Sequence, residues 1–172
     1  PIIKRNFKSK SLVDDDFEIS IYTTNVSGGL DFAIKLFNEL KNKPSINYDE
    51  ALKYTILLYD GIPNVTMTLG GIDNSDSTYY DKLFSNSSNS HKNCDSASCL
   101  TYVRNSSNYL QNTMGSKLIT IGFEFSGGDD LKKISSADST LCSDSNLNGY
   151  CYYESTSSDI NTLFDKIQNN IS

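Results

Sequence analysis

An uncharged run, Tyr54-Thr55-Ile56-Leu57-Leu58-Tyr59, stops abruptly at Asp60-Gly61-Ile62-Pro63-Asn64, and this junction constrains the fold more than any other feature of the chain. A β-branched and aromatic run that ends on a carboxylate, with a Gly and a Pro forcing a turn, reads as a buried strand and its exit. In an open parallel sheet, ligands bind just beyond the carboxyl ends of the strands. A carboxylate at that place suits a polar ligand better than packing. Asp60 is therefore the first candidate functional residue.

The segments around this strand alternate in period. Leu30, Ala33, Ile34, Phe37 and Leu40 recur at three- and four-residue steps, which predicts a helix with Ser27 or Asn25 as its cap. Leu100, Val103, Ser107, Leu110 and Met114 keep the same spacing, and Gly115 stands where that helix would end. Lys117 to Phe125 reads as a second buried strand. Asp129 and Asp130 open a short helix with Leu131 and Ile134 inward, acids at its positive end. Tyr150 to Glu154 reads as a third strand. Ile160, Leu163, Phe164 and Ile167 mark a last amphipathic helix, capped by Ser157 or Ser158. Strands separated by helices pair in parallel through right-handed crossovers, so the predicted class is α/β. The expected organisation is an N-terminal segment, residues 1–21, and one domain, residues 22–172. Within the domain, residues 65–96 break the rhythm and read as a long loop or insertion, with a small extra strand at Val65 to Leu69.

The 172 residues suffice for one domain with a sizeable core. A net charge of −6 argues against nucleic acid or acidic lipid as partners. The basic cluster Lys4, Arg5, Lys8 and Lys10 is offset by Asp14, Asp15 and Asp16, and reads as a solvated segment. No apolar run is long enough to span a bilayer, no signal peptide is read at the start, and direct membrane insertion is not expected. A first residue of Pro rather than Met leads to the expectation of a processed or trimmed piece. The four cysteines form two close pairs, Cys94 with Cys99 and Cys142 with Cys151, each in a loop rich in Ser, Asn and Asp. Three connectivities are formally possible, and the flanking turn residues favour local pairing. Zinc is the rival, but the spacing is not C-x-x-C and the lone His91 is a poor fourth partner. Disulfides imply an oxidising compartment, hence an extracellular, secreted or cell-surface protein.

The turn before the first helix, Thr23-Thr24-Asn25-Val26-Ser27-Gly28-Gly29-Leu30, is the second candidate, because a hydroxyl there can cap the helix or ligate a metal. Thr24-Asn25 with Gly29-Leu30-Asp31-x-Ala33 resembles the second motif of the von Willebrand factor A domain. Leu57-Leu58-x-Asp60-Gly61-Ile62-Pro63-Asn64 resembles its third. Leu118 to Phe123 is similar to the strand that follows in that family, and Tyr152 through Ile167 to its last strand and helix. The resemblance implies a doubly wound, mainly parallel sheet with helices on both faces. It also implies a metal-ion-dependent adhesion site. An enzyme using Asp60 for metal-assisted phosphoryl chemistry is not expected, because the other acids cluster in loops without matching spacing and the only His is poorly placed. Magnesium, or manganese or calcium in its place, would be held by Thr24 through its hydroxyl and by Asp60, with Asn25, Gly61 and Asn64 on the ligand side. A hard cation of this kind takes oxygen ligands and keeps several waters.

The implied partner is a host or extracellular-matrix protein that presents an acidic residue, and the implied setting a microbial surface or pilus. The family's first motif, Asp-x-Ser-x-Ser after the central strand, is not found before Thr24. An upstream segment or another chain is then expected to supply that strand. Asp73-Asn74-Ser75-Asp76-Ser77 matches the motif in letters but follows the third motif, and reads as a coincidence of composition. A metal-free structural or assembly subunit is the alternative reading. His91 and the Gly pairs at 28–29, 70–71 and 127–128 carry no further signal, and the tyrosines divide between core and possible contact surface.

Overall fold

The computed structural model describes residues 24–85, 87–124, 129–138, 141–142 and 149–171. The basic cluster and the N-terminal segment 1–21 lie outside the described residues, as do Asn86, Phe125 and the Gly pair 127–128. The chain is a mixed α/β protein. Its elements are α1 (Val26–Lys41), β1 (Tyr54–Tyr59), β2 (Val65–Leu69), α2 (Tyr79–Phe84), β3 (Asn89–Asn93), α3 (Ser96–Asn112), β4 (Lys117–Phe123), α4 (Asp129–Lys132), β5 (Tyr152–Ser155) and α5 (Ile160–Asn170).

The main sheet has three parallel strands in the order β1-β4-β5. Tyr54 lies opposite Lys117 and Tyr59 opposite Gly122, while Thr120 lies opposite Tyr152 and Phe123 opposite Ser155. Side chains alternate across a strand, so β4 serves two cores. Leu118, with Tyr152 of β5, packs against Leu30 and Ile34 of α1 and Val103 and Leu110 of α3. Ile119 and Ile121, with Tyr153, pack against Ile167 of α5 and the paired Cys142 and Cys151. A strand paired on both edges and covered on both faces can be apolar throughout, as Leu118 to Ile121 nearly are.

The run Tyr54–Tyr59 differs from the buried strand that its sequence predicts. Among the described residues β1 pairs only with β4. Ile56 and Leu58, which share one face, are 40% and 48% exposed. On α1, Phe32 and Leu36, one turn apart, are 57% and 49% exposed.

Three predicted boundaries move, each for a local reason. The second strand ends at Phe123 rather than Phe125, because Glu124 takes a φ of +50° and turns the backbone out of the extended region. The third begins at Tyr152, where the β4 ladder begins, while Tyr150 forms an isolated bridge with Ala137. Asp159, not Ser157 or Ser158, occupies the N-cap position of the last helix, without a side-chain bond to the helix N–H groups. Asp159 Oδ1 instead accepts hydrogen bonds from Thr156 N at 2.6 Å and Thr156 Oγ1 at 2.7 Å, organising the turn that launches α5.

The interval 65–96 is structured. The expected strand at Val65–Leu69 is present, fully buried, and pairs antiparallel with an exposed β3 within the stretch expected as a long loop or insertion. Gly70 and Gly71, at φ +57° and +83°, make the turn out of β2 in a conformation that a side chain would strain. His91 faces outward on β3, opposite Met67. Both predicted disulfides form, with Cα separations of 5.5 Å for Cys94–Cys99 and 5.0 Å for Cys142–Cys151. No helix among the described residues is long and apolar enough to cross a membrane.

Candidate functional site

The sheet brings the two sequence-distant candidates together at the carboxyl end of β1. Asn64 ties the turn after β1 to the start of the first helix twice, its Oδ1 accepting from Thr24 N at 2.8 Å and its N–H donating to Thr24 O at 3.1 Å. Its carbonyl also accepts from Cys94 N at 3.0 Å, fixing the first disulfide loop to the same corner. Gly61 permits the approach, since a Cβ there would stand 3.3 Å from Thr24 Oγ1. Asp60 itself is exposed at the strand exit. The Thr24 hydroxyl and the Asp60 turn thus share one solvent-facing corner, although about thirty-six residues of chain separate them.

The two amides assigned to the ligand side have positioning work of their own. Asn25 Oδ1 accepts the free N–H of Gly28 at 2.8 Å, the standard satisfaction of a helix N-terminus. Ser27 Oγ then reaches Thr66 Oγ1 at 2.9 Å, which pins the helix start to β2. These bonds hold Thr24 in place; they also leave Asn25 and Asn64 less free to turn toward a ligand.

The corner suits a hard cation in kind but not in number. A hydroxyl and a carboxylate are the oxygen donors that magnesium takes, yet a magnesium ion wants six and would keep most of them as water. Among the described residues no group of three or more His, Cys, Asp and Glu side chains stands together to hold a metal. Asp73-Asn74-Ser75-Asp76-Ser77 offers no replacement. Asp73 caps its own turn through Ser75 and pairs with Lys92 at 3.2 Å, and Asp76 accepts from Thr78 N and Oγ1.

A second polar centre lies in the interior. Asp31 is fully buried on α1, with Oδ2 accepting from Tyr79 Oη at 2.7 Å and Oδ1 from Ser106 Oγ at 2.6 Å. Ser106 Oγ in turn accepts from Asn74 Nδ2 at 2.7 Å, and the same nitrogen donates to Tyr102 O at 2.7 Å. Burial pushes the Asp31 carboxyl up to about 6, against the pull of its two hydroxyl donors. The sequence reading placed Asp31 in a motif without assigning it a job. A helical wheel carries the signal, because Asp31 falls about 60° from Ile34, at the margin of the inward face.

No protein-family model matches this chain, and no curated protein or solved structure matches it significantly. The class defined by fold and site is that of an α/β protein with two disulfides and, among the described residues, a three-stranded parallel sheet with a polar corner at the carboxyl end of β1.

Proposed function

We propose that this chain is an extracellular adhesion or binding module of von Willebrand A type, recognising an acidic group of a protein ligand through a divalent ion at Thr24 and Asp60. The observation that carries the reading is the convergence of Thr24 and the Asp60 turn at a carboxyl strand end. The side of β1 that pairs with none of the described strands supports its second half. A strand added parallel to β1 would end beside that corner, where its last residues could supply the oxygen ligands that Thr24 and Asp60 lack. The doubly wound architecture, the microbial surface or pilus setting and the matrix-protein partner belong to this proposal. The two disulfides support the extracellular setting.

A scaffold or assembly subunit is the second reading, favoured by the same strand, which among the described residues is paired on one side only, since a strand edge is a template for another chain. Calorimetric titration with magnesium and manganese separates the two. The adhesion reading expects saturable binding that Asp60→Ala abolishes, and ligand capture that a chelator reverses. Absence of a saturable site, or binding unaltered by Asp60→Ala, would leave the scaffold.

A further inference from the structure

A groove of about 460 Å³ runs along the face of α3 and is lined by Asn74, Asn105, Asn108, Asn112, Tyr80 and Tyr109, completed by one Ser and one Thr. It is a shallow depression open to solvent rather than an enclosed cavity. Its chemistry is unusual for this chain. The protein carries 36 charged side chains against one His, yet none of them lines the groove. The whole of α3 holds a single charge, Arg104, where a solvent-facing helix would ordinarily be rich in them.

The floor is built rather than incidental. Asn74 is buried and held by Tyr102 O and Ser106 Oγ, with Ser106 anchored in turn by Asp31. Asn105 Nδ2 reaches back to Asn74 O at 3.3 Å and Oδ1 at 3.4 Å, so the two amides form a fixed pair. Beside them Tyr80 and Tyr109 stack at 3.7 Å between ring centroids, 19° from parallel, forming one half-buried aromatic slab. Asn108 and Asn112 are exposed one helical turn apart, about 5–6 Å between Cβ atoms, which is the span of one pyranose ring with its hydroxyls.

We propose that this groove binds a neutral saccharide. Each side-chain amide offers a carbonyl acceptor beside NH₂ donors, the complement of two adjacent hydroxyls. Aromatic surface next to the amides suits the apolar C–H face of a sugar ring. An anion would find no cation here and a cation no carboxylate. A peptide recognised in extended form would need a sheet edge or side-chain pockets, and a helix face of amides provides neither. The site is separate from the Thr24–Asp60 corner and needs no metal.

The test is an NMR titration of ¹⁵N-labelled protein with maltose, lactose, cellobiose and N,N′-diacetylchitobiose, in the presence of chelator. At least one sugar is expected to shift the side-chain amides of Asn105, Asn108 and Asn112 saturably. Asn108→Ala and Asn112→Ala should each weaken that binding about tenfold, the loss of one or two hydrogen bonds, with the melting temperature unchanged. Asp60→Ala should leave it intact, so the outcome is independent of the ion-binding reading. Inertness toward all four sugars overturns the proposal. So does binding that survives both Asn substitutions, or saturation of the same resonances by an Asn-rich peptide alone.

Discussion

Among the described residues, the buried Asp31 couples stability to pH through its raised carboxyl. Its folded value, about 6, stands above the ordinary carboxylate value of 3.8, so the native state holds a proton that the unfolded chain releases. The stability it contributes is complete below pH 3.8 and is lost as pH rises through about 6, a difference on the order of 3 kcal/mol. Asp95 and Asp159 act in the opposite sense. Hydrogen bonds from Ser98 and Thr156 hold their carboxyls below the usual range, so their contribution is lost only as pH falls below it. Thermal melts across the weakly acid range should therefore show stability declining from pH 4 toward neutrality. Asp31→Asn, which keeps the shape and removes the charge, should flatten that decline and leave the variant at least as stable as the parent at neutral pH. A parent protein with no such decline would show that the Asp31–Tyr79–Ser106 network stays ionised at little cost.

At the level of elements, the start of α1 shows how a cap and a glycine depend on each other. A Cβ at Gly28 would stand 2.5 Å from Asn25 Nδ2 and 2.8 Å from Cγ and Oδ1, and these three nearest atoms all belong to the cap. Asn25→Ala should cost about 1 kcal/mol through the orphaned N–H of Gly28. Gly28→Ala should cost a similar amount in the parent by expelling the Asn25 amide. In the Asn25→Ala background that penalty should vanish, because alanine is the better helix former once the amide is gone. A double-mutant cycle by urea denaturation measures the coupling, and additive costs would sink the account. Capping by Asn25 was readable from residue type and position. The end of α5 was not so simple, since Ser157 and Ser158 are good caps by type yet Asp159, one residue on, takes the position. Neighbouring cap-formers are separated only by which one the turn presents, and Thr156 decides that here.

For the molecule as a whole, the two disulfides differ in what they secure. Cys142 and Cys151 are both buried within the second core, beside Ile121, Tyr153 and Ile167, whereas Cys94 is half-exposed at the corner held by Asn64. Replacing Cys142 and Cys151 by serine should lower stability by about 2–3 kcal/mol from loop entropy alone. The added loss of sulfur packing should make this the larger effect of the two in calorimetry. Replacing Cys94 and Cys99 should cost less, and should loosen the Thr24–Asp60 corner first. The sequence by itself determined the helices and strands of strong period, the parallel α/β class, the cysteine pairing and the exit of β1 at Asp60. All of these rest on periodicity, turn chemistry or short separations along the chain. Only the tertiary structure decided that β1 lies at an edge of the described sheet with Ile56 and Leu58 uncovered, because an apolar run reads the same whether one edge is paired or two. It alone also decided that residues 65–96 fold back as a hairpin and helix, and that Asp31 is buried. It alone set the asparagines of α3 against Asn74 and Tyr80 in one groove. Those outcomes depend on which distant surfaces meet, and no local pattern carries that information.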